Sequence, residues 1–455
     1  MTCYNTLSST IQPSTNIIKM PETTTLSSRG LALASQPSYR AFATPVIENT
    51  YDAQDNMQGT INLGAAENYA MLPSVAAFTN SHFNATPNLF SYDQGAWGSS
   101  RLRAALAKHL NRHFDPVEEV QPQNILVANG CMSLCEMLGF SLFSPGDGIL
   151  LSRPCYAAFE SDFGTRAGVK CVYASFHGRD QFSPKGAVEG YETALVEAQA
   201  SGTQIRALLV CHPHNPLGQS YPRETLVALM EFCEKHAIHL ISDEIYALST
   251  YTIDRSLESA TSAPTALFRS ILSIPNAVVH IDPSRLHVLY GMSKDLAAGG
   301  LRIGMLHTRN SELWRCLSAM NQFHWIPGPA DAIATAMLED EAWLDAFLAE
   351  SRGKLGEMSA LSRRLLREKG IPFWEESRAG FFLWVDLRAW LAGTGKGDLW
   401  EAERKVNDGF TEAGVFLTPG EVSRAEEPGW FRVVFSWDEK TLREGLGRMF
   451  KALGV

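Results

Sequence analysis

Lys294 closes the apolar run HVLYGMSK (residues 287–294), directly after Ser293, and the chain continues through glycines to Arg302 on the next apolar run. A lysine in that setting is ordinarily a solvated loop residue. Its chemical reading is a lysine that forms a Schiff base, with Ser293 and Arg302 holding a phosphate beside it. Two further apolar runs end on polar groups: LLVCHPHNPLG stops at Asn215-Pro216, and HLISDEIY carries Asp243 and Tyr246. A fourth signal, VANGCMSLCEMLGF, passes through a glycine turn into a stripe of Leu134, Leu138 and Leu142 at helical spacing. A helix starting near Cys131 points its free backbone N–H groups and positive dipole end at whatever lies above, which suits a phosphate. Each feature alone has an ordinary explanation as a turn, a cap or a strand-to-helix connection. Their joint occurrence at the ends of apolar runs points to one site.

The elements that must position these groups follow from the alternation of short β-rich runs with helical segments. Apolar stretches occur at residues 124–129, 148–152, 169–176, 205–213, 238–246, 287–294 and 302–308, and amphipathic segments such as PRETLVALMEFCEKHA (222–237) lie between several of them. Pro222 suits the first turn of that helix. Strands apolar on both faces, alternating with helices, imply an α/β domain with a largely parallel sheet covered on each side. Ligands bind beyond the carboxyl ends of such strands, where the polar signals sit. From about residue 340 the pattern changes to longer polar helices, then to GFFLWVDL and GWFRVVFSW, a smaller α+β domain. The expected division is a polar arm over 1–50, an N-terminal part of the small domain over 51–85, a large domain over 86–325 and a C-terminal small domain over 326–455.

Composition narrows the partners. The chain has 455 residues, 45% of them hydrophobic and 19% charged, enough to bury a sizeable core. A formal net charge of -10 argues against nucleic acid or an anionic membrane surface, leaving a small solute. No apolar run reaches the ~18 residues of a membrane helix. The eight cysteines are scattered, with no CxxC pair and no Cys/His cluster of zinc spacing, so they read as reduced and mostly buried. The first thirty or so residues lack the apolar core of a signal peptide, and a cytoplasmic location is expected.

The segments AEN (66–68), NPLG (215–218), SDEIY (242–246), SKDLAAGGLRIG (293–304) and GWFRVVFSW (429–437) together resemble the pyridoxal-phosphate-dependent class I/II aminotransferase superfamily. Within it the chain is most similar to the 1-aminocyclopropane-1-carboxylate (ACC) synthase-like branch. That resemblance implies fold type I: a large α/β domain on a mostly parallel seven-stranded sheet, a smaller α+β domain, and a homodimer. It implies pyridoxal 5'-phosphate (PLP) held by Lys294, which also acts as the base at the substrate Cα. Asp243 would pair with the pyridine nitrogen, Tyr246 and Asn215 with the ring 3-oxygen, and Tyr156 would stack on the ring. Arg302, Ser293 and the N–H groups of Cys131 and Met132 would hold the phosphate. Arg432 would grip the substrate α-carboxylate, and Glu67, the carboxylate of the branch's AEN, would stand near the substrate. Tyr92 would reach the partner subunit's cofactor.

The chain departs from the plant enzymes of that branch at Gly291, where they have serine, at Met132, where a hydroxyl residue is common, and at Ala96, where they have tyrosine. The leading expectation is a lyase of ACC-synthase-like chemistry on an α-amino acid, sulfur-containing, in a specialised pathway. The alternatives are an aminotransferase, a carbon-sulfur lyase of a fungal dithiol-forming pathway, and a non-catalytic binder. The last is disfavoured, because the first 50 residues are too poor in basic residues for an added DNA-binding domain.

Overall fold

The computed structural model describes residues 25–35, 44–92, 95–253, 267–275, 277–391 and 398–455. The chain divides into two compact units, Met1–Ala41 and Phe42–Val455. Of the first, the described part is a short helix, Ser28–Ala34, capped by the Ser27 side chain. Most of the expected polar arm lies outside the described residues. The helix Thr44–Glu48 falls within the stretch expected as arm yet belongs to the second unit, with Val46 buried.

The strands of the second unit, in chain order, are β1 (Ile61–Asn62), β2 (Ile125–Asn129), β3 (Gly148–Ser152), β4 (Lys170–Ala174), β5 (Ile205–Cys211), β6 (His239–Asp243), β7 (Leu286–Gly291), β8 (Ile303–Thr308), β9 (Phe382–Asp386), β10 (Val415–Phe416), β11 (Thr418–Pro419) and β12 (Trp430–Val434). Strands β2 to β8 form a seven-stranded sheet in the order β2-β8-β7-β6-β5-β3-β4. Only β8 is reversed, antiparallel to both β2 and β7. Near-continuous apolar strands form it because helices cover both faces, and every residue of β3 and β8 is buried. The segment 222–237 forms the helix Arg223–Lys235, with Pro222 at its N-cap rather than inside its first turn.

Strand order explains how distant residues meet. β5, β6 and β7 are adjacent and parallel, so the segments leaving their carboxyl ends, carrying Asn215, Asp243 and Lys294, emerge side by side at the spacing of neighbouring strands, about 4.8 Å. The reversed β8 does the same for Arg302 and the Gly130 turn. Asn129 at the end of β2 pairs with Ile303 at the start of β8, which sets Arg302 beside the Gly130 turn.

The C-terminal part carries the antiparallel sheet β11-β12-β9 and the parallel pair β1-β10. Pairing of β1 with β10 ties residues 61–62 to this part of the chain. Val434 then donates its N–H to the Leu63 carbonyl at 2.7 Å, and Ser436 Oγ donates to the Glu67 carbonyl. Phe381, Leu383, Val385, Phe431, Val433, Leu442 and Leu446 form one apolar cluster with Ile61 and Leu63. The helix Glu341–Glu368, which contains the polar stretch singled out in the sequence, is capped by Asp340 accepting from the Trp343 N–H at 3.0 Å. No helix among the described residues is long and apolar enough to cross a membrane.

Candidate active site

Lys294 lies three residues beyond the last residue of β7, Gly291, half-buried, with Nζ donating to the Ala66 carbonyl. Burial lowers its pKa to about 8; Glu67 opposes that shift, Arg432 reinforces it, and Asp243 and Cys131 oppose it more weakly. These four groups come from four separate parts of the sequence, and they surround one amine. At neutral pH a larger share of that amine is neutral than for an ordinary lysine, as both imine formation and proton abstraction require.

Asp243 ends β6, is 6% exposed, and accepts from the Ile245 N–H at 3.3 Å. Burial pushes its carboxyl up to about 7, partly offset by that N–H and by Lys294. A carboxylate so placed gains strongly from a cationic N–H partner. Asn215 and Tyr246 are both buried, and burial pushes the Tyr246 hydroxyl upward. The Tyr246 ring stands edge-on to Phe381 and Phe382, each 5.5 Å away between centroids.

The turn beside Arg302 is a cradle of backbone. The helix Cys131–Leu142 starts directly after Gly130, with no side-chain cap, so the Cys131 and Met132 N–H groups point outward from its end. Gly130 has φ +84°, and a Cβ there would stand 2.3 Å from an Arg302 guanidinium nitrogen. Only glycine lets the guanidinium lie against this turn. Arg302 donates to the Gly299 carbonyl at 3.2 Å and is itself in the left-handed region. Ser293 is half-buried at the same loop. Gly291 also has a local cause: it pairs with Gly304, and a Cβ would meet the Ile303 carbonyl at 2.6 Å and Cys131 Sγ at 3.3 Å. The thiol of Cys131 donates to the Tyr290 carbonyl at 3.3 Å and fills the space that a serine would need.

Arg432 is 7% exposed on β12, directly opposite Trp384. It donates to Asn215 Oδ1 at 2.8 Å, to the Gly64 carbonyl at 2.6 Å and to Thr418 Oγ1 at 3.4 Å, with its guanidinium carbon 5.2 Å from the Phe382 ring centre. Its Nε is buried with no hydrogen-bond partner. A buried guanidinium with a vacant donor and no carboxylate partner fits an incoming carboxylate.

Glu67 sits in the loop before the turn Tyr69–Met71, exposed, and not at the start of a helix. Tyr156 follows β3 and stands edge-on to Phe159 at 5.2 Å. Tyr92 is not gathered with the others in this chain: it is 88% exposed, 5.7 Å from the Trp325 ring. The Ala66 and Gly64 carbonyls were not foreseen, since main-chain acceptors leave no side-chain signature, and neither were Thr418 and Phe382, which only the pairing of β11, β12 and β9 brings to Arg432.

Residues 58–449 match the family described as aminotransferase class I and II. The chain belongs to that family. The probable aminotransferase gliI of Aspergillus fumigatus is 34% identical, aligned over 88% of this chain and 90% of its own length. The mouse 1-aminocyclopropane-1-carboxylate synthase-like protein 1 is 32% identical over 94% and 83%, and the Cucurbita pepo 1-aminocyclopropane-1-carboxylate synthase 2 is 30% identical over 88% and 80%. Among solved structures, the Thermus thermophilus aspartate aminotransferase with maleate superposes with a TM-score of 0.73 at 20% identity, covering 94% of this chain and all of that one, which shows the fold-type I architecture. Members of this aminotransferase family are PLP-dependent, and this chain is a PLP-dependent transferase or lyase. The outward N–H groups at Cys131, the glycine cradle against Arg302 and the unpartnered Arg432 Nε fit that cofactor and an amino-acid carboxylate.

Proposed function

We propose that this enzyme takes an α-amino acid onto PLP at Lys294 and carries out ACC-synthase-like elimination, as a homodimer in the cytoplasm, in specialised metabolism. Bound PLP supplies an electron sink for the carbanion formed at Cα. Lys294 holds the cofactor and then accepts the Cα proton. Asp243 pairs with the pyridine nitrogen and keeps it protonated. Asn215 and Tyr246 hydrogen-bond the 3-oxygen, and Tyr156 lies against the ring. Arg302, Ser293 and the N–H groups of Cys131 and Met132 hold the phosphate. Arg432 orients the substrate through its carboxylate, which aims the Cα–H bond at Lys294.

The observation that favours elimination is Glu67, whose charge is the largest electrostatic influence on Lys294 after burial. A second carboxylate beside the reacting amine can move a proton at the substrate side chain, which simple amino transfer does not need. Glu67→Gln is expected to lower substrate breakdown by about 10²-fold while leaving the cofactor band unchanged. Product assays without any keto acid are the check, and amino-acid consumption only in the presence of a keto-acid acceptor would sink the lyase reading. Amino transfer to a keto acid is the second reading, favoured by the Aspergillus fumigatus relative named a probable aminotransferase.

The homodimer gives Tyr92 a role, since a phenol 88% exposed on one chain is available to the partner's site. Light scattering on the active protein is expected to give the mass of two chains. A single-chain mass with full activity would exclude it.

A further inference from the structure

We propose that Asp295 is a positioning residue for this site, fixing Lys294 relative to Tyr246 by bonding the loop of one to the turn of the other. The inference rests on the PLP reading of Lys294. Asp295 follows Lys294 directly and is 1% exposed. Its Oδ2 accepts from the Leu248 N–H at 2.9 Å and its Oδ1 from Ser249 Oγ at 2.5 Å. Both donors belong to the turn that Tyr246 opens, where the Ser249 N–H bonds the Tyr246 carbonyl at 3.1 Å. Arg352 ties the same turn from the long helix, Nε to the Leu248 carbonyl at 2.9 Å, and Gly380 N–H bonds the Ser249 carbonyl at 3.0 Å. The turn is therefore clamped from two sides, and Asp295 is its link to Lys294.

The lysine loop has reason to need that link. Ala297 and Arg302 both adopt left-handed backbone, at φ 50° and 57°, which non-glycine residues hold only where surroundings impose it. Within the loop the Ala297 N–H bonds the Lys294 carbonyl, and the Ala298 N–H bonds the Met292 carbonyl, each at 3.0 Å. The Asp295 carboxylate adds the tie outward. A buried carboxylate costs stability unless both oxygens are engaged, and such groups persist where they specify one arrangement. The polar and charged groups facing it are Ser249, the Leu248 N–H, the Tyr290 hydroxyl and Arg352. Those facing Lys294 are Glu67, Arg432, Asp243 and Cys131.

The test uses the full chain with Asp295→Ala, Asp295→Asn and Ser249→Ala. In cofactor-free protein, modification of Lys294 by trinitrobenzenesulfonate is followed against pH by peptide mapping. In the loaded enzyme, the absorbance band of the bound cofactor is titrated. The proposal expects both midpoints to move by about one pH unit in Asp295→Ala, the lysine midpoint upward as water reaches a loosened loop. Smaller shifts are expected in Asp295→Asn, which keeps one acceptor, and in Ser249→Ala, which keeps the bond to Leu248. A lowered melting temperature with both midpoints unmoved would overturn it, since that is what a merely structural carboxylate gives. Should Asp295→Ala fail to fold, the other two variants decide by the same midpoints. If the parent shows no cofactor band, the PLP reading of Lys294 fails, and the lysine midpoint still reports on Asp295.

Discussion

Lys294→Ala is expected to lower turnover by at least about 10⁴-fold, because one substitution removes both the covalent attachment of PLP and the base at Cα. The variant should bind PLP without forming a bond that borohydride can fix. Thermal stability of the cofactor-free protein should change little. The substitution gives up one hydrogen bond to the Ala66 carbonyl, worth about 1 kcal/mol, and also relieves a desolvated ammonium of its burial. That combination separates a functional lysine from a structural one, whose loss would unfold the protein and whose partner would be a carboxylate rather than a carbonyl. Before cofactor is added, the parent's Lys294 should react with amine reagents through a midpoint near 8, well below the ordinary lysine value of 10.5. Turnover in Lys294→Ala within about tenfold of the parent would show that the amine is not the reacting group.

Much of this arrangement was legible in the sequence because parallel sheets state their geometry locally. Each apolar run ended on its polar residue, and the adjacency of β5, β6 and β7 then placed Asn215, Asp243 and Lys294 together. The reversal of β8 was not legible. It depends on the short return from Gly291 to Ile303, and the same apolar composition serves either strand direction. Why glycine stands at Gly291, where the plant enzymes have serine, was not legible either: close contacts with Ile303 and Cys131 leave a side chain no room there. The strands β1, β10 and β11 are two residues each, below the length at which alternation can register. Asp295 and Glu244 stood in plain view inside SKD and SDEIY, yet a carboxylate beside a reactive residue reads as solvated until its burial is known. Glu244 proves to be a brace, accepting from Ser270 Oγ at 2.6 Å and the Ile271 N–H at 2.8 Å.

The second large effect is expected at Arg432. Arg432→Lys keeps the charge but loses the fork, so one ammonium must serve Asn215, the Gly64 carbonyl and the incoming carboxylate in turn. Each hydrogen bond to a charged group is worth about 1.5–3 kcal/mol, and losing the bidentate contact predicts a fall in kcat/KM of about 10²–10³-fold. Most of it should appear in KM, because the carboxylate contact is made in the ground state as well as during proton removal. Cofactor should still bind, since Arg302 and the Gly130 cradle belong to a different sheet from Arg432. Amines lacking a carboxylate discriminate further: their slow turnover should be nearly the same in parent and variant, for they never used the fork. Equal kinetics for amino acids in both proteins would remove Arg432 from the substrate site and leave its buried, unpartnered Nε without the ligand proposed for it.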